Sequence, residues 1–137
     1  MGNYITKSDI ESEFGVANVA KWSNLDNDDA QANEARITES INYAEQSLDD
    51  RFRFGRYAVP IVANVSTLYV VKRWAAVLAG HWLATRRAVY ANVSANVLSG
   101  INDLRESVFE EIAIYTSGQA RLNAQLSETQ PDAPQVV

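Results

Sequence analysis

Residues 68–90 read LYVVKRWAAVLAGHWLATRRAVY, and the reading of this run decides the fold. On a helix, apolar side chains from Leu68 and Val71 through Trp74, Val77, Leu78, Trp82 and Leu83 fall on nearly every side. A helix that is apolar all round is covered by neighbours on all sides, so the run predicts a central helix. Its alanines and Gly80 leave room for those neighbours to come close. Arg86 and Arg87 sit in the last turns, where cations favour the carbonyl end of a helix. The apolar part, Trp74 to Leu83, is broken by Gly80 and His81. It falls far short of the ~20 residues that span a bilayer, so no membrane partner is expected.

The flanks supply the neighbours. Ile37, Ile41, Ala44 and Leu48 recur at spacings of four, three and four, which marks one face of a helix. Asp28 or Asp29 is placed to cap it, and it ends near Phe52 to Gly55. Ile101, Leu104, Val108, Ile112 and Tyr115 mark another, opened by Ser94 or Ser99 and interrupted by Gly118. Thr6, with Asp9 three residues later, opens a first helix whose apolar face is Ile10 and Phe14 and which Gly15 stops. Val16 to Trp22 forms a further helical turn. Residues 55–65 contain Pro60, which keeps Val59 out of helical angles, and read as a structured connecting loop. Ser66 or Thr67 then caps the long helix. The end, Ser127 to Val137, holds two prolines and no aromatic residue and reads as a flexible arm. The expected fold is all-α, a small bundle of about four main helices over residues 1–126, with a C-terminal arm at 127–137.

Composition closes off several chemistries. The 137 residues contain no cysteine and one histidine, which excludes disulfides, thiolate metal sites, a cysteine nucleophile and any motif that needs two histidines. The net charge of −5 conceals a division along the chain. Residues 1–50 carry eleven acids and three bases (−8), residues 51–87 seven bases and no acid (+7), and residues 88–137 six acids and two bases (−4).

Each candidate for chemistry has a competing reading. Asp26-Asn27-Asp28-Asp29 starts like a calcium loop, but positions five, six and twelve are Ala30, Gln31 and Ile37, where that loop needs Asp or Asn, Gly and a carboxylate. No metal or other cofactor is therefore expected. His81 lies in the most apolar helix; Asp103, Glu106 or Glu110 could reach it, but a hydrogen-bonded structural histidine is the simpler reading. No nucleophile elbow, phosphate loop or zinc-protease motif is present, so no enzyme is expected.

The segment Arg51-Phe52-Arg53-Phe54-Gly55-Arg56-Tyr57 interleaves bases with aromatics. That mixture binds single-stranded nucleic acid by phosphate pairing and stacking. Alternatively the rings belong to the core and the arginines meet carboxylates, within the chain or on a neighbouring subunit. Arg51, Arg53, Arg56 and Tyr57 are accordingly the candidate subunit-interface residues.

In order along the chain, several stretches together resemble a known family. They are Tyr4-Ile5-Thr6 with Asp9 and Phe14-Gly15, then Ala35-Arg36-Ile37 with Ala44 and Leu48-Asp49, then Arg56-Tyr57-Ala58-Val59-Pro60-Ile61, and finally the long helix and the last one before Gly118 and Leu122. The pattern resembles the Mu-like group of small phage and prophage proteins, similar in architecture to the head–tail connector, or head-completion, adaptors of tailed phages. The resemblance covers roughly residues 4–122 and implies an all-α, non-catalytic virion protein at the head–tail interface, assembled in the cytoplasm of the bacterial host. Such a protein would form a ring under the portal protein, meet a tail-side connector or tail-completion protein, and let DNA pass without specific binding. The resemblance also implies portal docking by the C-terminal arm, here Leu126, Pro131, Pro134, Val136 and Val137. Another tail-completion or assembly role, or a small nucleic-acid-binding regulator, remains the alternative. Across a ring interface the basic segment 51–87 would face acids of residues 1–50 or 103–111, unless those charges pair within one subunit.

Overall fold

The computed structural model describes residues 4–24, 31–59, 65–90 and 93–119, with the side chains at 65–67 and 90 left aside. Among them are five helices and no strand: α1 (Lys7–Phe14), α2 (Val16–Ser23), α3 (Glu34–Phe54), α4 (Val65–Tyr90) and α5 (Ala95–Thr116). The chain is an all-α bundle, and α4 is its axis, touching each of the other four helices. Val71, Trp74, Ala75, Val77, Ala79 and Ala84 are all fully buried, as expected of a helix apolar on every side. None of these helices is long and apolar enough to cross a membrane.

The α1–α2 corner is built on two close contacts. Gly15 ends α1 with a φ of 94°, a backbone conformation that glycine adopts without steric cost. The turn brings the Phe14 ring edge-on to Trp22 at 5.5 Å and down onto Gly80. A Cβ at position 80 would stand 2.0 Å from that ring, so α1 can approach α4 only over a glycine. At the helix start, the Asp9 carboxylate accepts the Thr6 N–H at 2.8 Å.

Two of the expected caps are elsewhere. α3 begins at Glu34 and its cap is Asn33, whose side chain accepts the Arg36 N–H at 3.2 Å, not Asp28 or Asp29. The reason lies upstream: the Asn24 amide donates to the carbonyls of Ala20 (2.9 Å) and Gln31 (2.8 Å), and Ser23 Oγ accepts the Asn33 N–H (2.8 Å). These bonds fix Gln31 and Asn33 against the end of α2, and Asn33 itself is extended. α4 already runs at Val65, so Ser66 and Thr67 lie inside its first turn and neither is the cap. The fifth helix, α2, is the segment read as a single turn.

The N-terminal strand of chain before α1 is anchored by a buried carboxylate. Glu45 of α3 accepts the N–H groups of Tyr4 (2.7 Å) and Ile5 (3.0 Å) through one oxygen, and Tyr4 O–H donates to Asp49 one turn on. Burial pushes the Asp49 carboxyl above its ordinary value, with the Tyr4 hydrogen bond opposing it.

The end of α3 positions the region of interest. The Tyr57 N–H donates to Phe52 O and the Arg56 N–H to Arg53 O, each at 2.9 Å, with Phe52 and Tyr57 rings in edge contact at 6.2 Å. This is the Schellman closure with its apolar clasp. The residue in the left-handed position is Arg56, with φ 69°, where glycine is the usual occupant. Gly55 stands one residue earlier for a different reason: a Cβ there would lie 2.8 Å from the Thr116 Cα. It lets the last turns of α3 and α5 meet backbone to backbone.

Candidate interaction surface on helices α3, α4 and α5

Helical periodicity sorts the segment 51–57. Phe52 and Phe54 are two residues apart, about 200° around a helix, and fall on opposite sides. Phe52 is fully buried against Trp74 and Tyr57 is 3% exposed, whereas Phe54 is 87% exposed. Two of the rings are therefore core and one faces outward.

Its arginines separate in the same way. Arg53 pairs with Asp50 of its own helix at 2.9 Å, on the surface. Arg56 has a buried Nη1 with no hydrogen-bond partner among the described residues. Arg51 lies over the Phe109 ring of α5, 3.9 Å from its centroid. Arg105, one turn before Phe109 on α5, approaches the same ring at 4.4 Å. A single ring thus orders two guanidinium groups through its quadrupole. Of the four residues named as an interface, Arg51 and Arg53 are exposed and Arg56 half-buried. Tyr57 is part of the core, its hydroxyl directed at Tyr115 O at 3.5 Å, and presents no surface to a neighbour.

The pair Arg86-Arg87 divides as well. Arg87 is buried and donates to the Asn24 carbonyl at 2.6 Å, tying α4 to the end of α2. Arg86 is exposed and lies over Trp82, 4.8 Å from its ring. Trp82 in turn contacts Tyr43 of α3, with ring centroids 6.5 Å apart. Tyr43, Ser47 and Arg51 follow at four-residue spacing, which places them on one line of α3. The line joins the Arg86–Trp82–Tyr43 stack to the Arg51–Phe109–Arg105 stack, and Phe54 continues it. Beside Arg51 an open cleft of about 560 Å³ is lined by Ser47, Asp50, Arg51, Phe54, Ala113, Thr116 and Ser117.

Internal pairing of the basic segment is partial. Arg73 meets Glu111 at 3.7 Å, and the same carboxylate accepts the Trp74 indole N–H at 2.8 Å. Arg51, Arg86 and Arg105 have no carboxylate partner among the described residues.

His81 is half-buried and its Nε2 lies 2.9 Å from Asn102 Oδ1, the kind of hydrogen bond expected of a core or interface histidine. Burial lowers its pKa below the usual value, the Asn102 contact opposes this, and nearby Arg105 adds to the lowering. No group of three or more metal-ligating side chains occurs among the described residues. The acidic run Asp26–Asp29 and the docking candidates Leu126, Pro131, Pro134, Val136 and Val137 lie outside the described residues.

Sequence reasoning missed Tyr43, Trp82, Arg86, Arg105 and Phe109 as surface partners. The available signal was the four-residue ladder Tyr43–Ser47–Arg51 beside Arg105 and Phe109, which are themselves four apart.

The family model described as bacteriophage Mu, Gp36 matches residues 4–136. The match runs through the segment read as an arm, past residue 122 where the resemblance in sequence stopped. No curated protein and no solved structure matches the chain.

Proposed function

Because the chain belongs to the bacteriophage Mu Gp36 family, we propose that it is a structural virion protein, a head–tail connector adaptor that docks under the portal and extends the DNA channel toward the tail. The observation that carries this reading is the outward face of α3, α4 and α5. Three arginines are held in place over aromatic rings on a small helical unit, with Phe54 exposed beside them. Arginine–aromatic surfaces of this kind suit macromolecular contact. The protein works by contact and not by catalysis, with the portal on one side, a tail-side connector on the other, and duplex DNA passing without specific binding. Its place is the virion, after assembly in the host cytoplasm, and the C-terminal residues 127–137 dock on the portal.

Co-expression with the portal of the same prophage tests the reading. The expected outcome is co-purification, with rings in negative-stain micrographs and loss of portal retention when the chain is cut after Leu126. Co-purification with tail components in place of the portal would overturn it in favour of a tail-completion role.

A further inference from the structure

We propose that the arginine face of α3, α4 and α5 receives the α5 carboxylates of a second copy of this chain. The inference rests on the connector reading only for the closure of such contacts into a ring.

The receiving side is the line Tyr43–Ser47–Arg51 with Arg86 and Arg105 on either hand. Its three arginines are already ordered by Trp82 and Phe109, so pairing with a carboxylate costs little further side-chain entropy. Their forks are suited to bidentate carboxylate binding. The donating side is Asp103, Glu106 and Glu110, all exposed and with no ion pair among the described residues. Spaced three and four apart, they form one line along α5, about 10 Å long at 1.5 Å per residue. The receiving line from Tyr43 to Arg51 is about 12 Å long by the same rise.

The two lines occupy different sides of one molecule. On α5, Arg105 and Phe109 point toward α3, and the carboxylates lie about a third of a turn further round the helix. One copy therefore cannot satisfy its own arginines with this stripe. A neighbour can, and the contact is heterologous: one surface meets a different surface, and each copy retains a free example of both. Such contacts propagate, and close into a ring when the rotation between copies allows. The net charge of −5 argues against nucleic acid as the occupant, because the chain as a whole repels a phosphate backbone.

Two charge-reversed full-length variants provide the test. One carries Arg51→Glu, Arg86→Glu and Arg105→Glu; the other carries Asp103→Arg, Glu106→Arg and Glu110→Arg. Circular dichroism establishes that each is helical, and sedimentation velocity measures association. The wild-type chain is expected to self-associate, and more weakly by at least about tenfold at 500 mM salt than at 50 mM, since its contact is between exposed charges. Each variant alone should lose association by more than about tenfold. An equimolar mixture should recover it, because every junction in an alternating assembly pairs opposite charges. If a triple variant fails to fold, Arg51→Glu mixed with Glu106→Arg makes the same comparison with one change per chain, and wild-type salt dependence is read independently.

A wild-type chain that stays monomeric at about 1 mM would overturn the inference. So would variants that associate like the wild type, a mixture that does not recover, or duplex binding that is lost in the arginine variant alone while self-association is unchanged. Portal co-purification of the wild-type chain is scored separately, so failure here leaves the connector reading standing, and its failure leaves a self-associating bundle.

Discussion

On one side of α4 the aromatic and cationic side chains turn inward; on the other, several of them turn outward. Toward α1 and α2, Gly80 lets the Phe14 ring rest on the backbone of α4, and Arg87 is drawn inside to a carbonyl. Toward the ends of α3 and α5, Gly55 packs against Thr116, and beside them lies the cleft with Phe54 in its lining. The first region spends its aromatic and cationic side chains on cohesion. The second holds the same residue types outward: Arg51, Phe54 and Arg86 are exposed, and Arg105 and Phe109 are half-buried. Composition does not distinguish the two; the direction in which each side chain leaves its helix does.

The contrast predicts large losses inside and small ones outside. Trp74→Ala removes a fully buried ring and the indole donor to Glu111, and should cost about 3–5 kcal/mol in urea unfolding. Gly80→Ala comes next. Alanine in an exposed helix would gain ~1 kcal/mol over glycine, but the overlap with Phe14 reverses the sign, to a net loss of about 2 kcal/mol; a gain would show that α1 does not sit tightly on α4. At the open end the expected sign is opposite. Arg56→Gly relieves a left-handed backbone and removes a buried unpartnered nitrogen, raising stability by about 1 kcal/mol, read as a higher thermal midpoint.

His81 gives a smaller, pH-dependent signature. Its folded pKa lies below the unfolded value, so the unfolded chain binds the proton more readily. Stability is full above about pH 6.5 and falls as pH drops through that value toward the folded pKa. His81→Gln should flatten this slope, by no more than about 1.4 kcal/mol per pH unit, the limit for one proton. Asp49 runs the other way: its folded pKa is raised, so stability falls as pH rises from the unfolded value through the folded one. The smallest effect belongs to Phe54→Ser, expected within about 0.5 kcal/mol of the parent, since the ring is almost fully exposed. A loss of several kcal/mol there would place Phe54 with the core and erase the distinction between the two sides.

Much of the cohesive side was legible because apolar periodicity reports burial. The stripe Ile37–Ile41–Ala44–Leu48, the all-round apolar α4, Gly15 as a stop, Gly80 as a close approach and Ser94 as a cap are all found in place. Side-chain chemistry that depends on the third dimension was not. Glu45 reads as a polar-face residue and is buried, because its ligands are main-chain N–H groups forty residues away, invisible to any local pattern. Adjacent Arg86 and Arg87 look equivalent in sequence, yet a step of about 100° sends one outward and one into the bundle. The segment 51–57 was legible in part: the helix end near Phe52 to Gly55 is found in place, but the two-residue step that sends Phe52 inward and Phe54 outward was not drawn from it. The cap at Asn33 depends on Asn24 and Ser23 of the α2 end bonding to Gln31 and Asn33, contacts seven and ten residues apart in sequence.

Trp22 and Trp74 are buried, and Trp82 is the remaining tryptophan, part-exposed beneath Arg86 on the outward face. The chain thus carries a built-in optical probe. When a partner covers that face, Trp82 alone among the three should change its emission and its access to a soluble quencher. The event can then be timed in solution on the unlabelled protein, with Trp82→Phe as the blank.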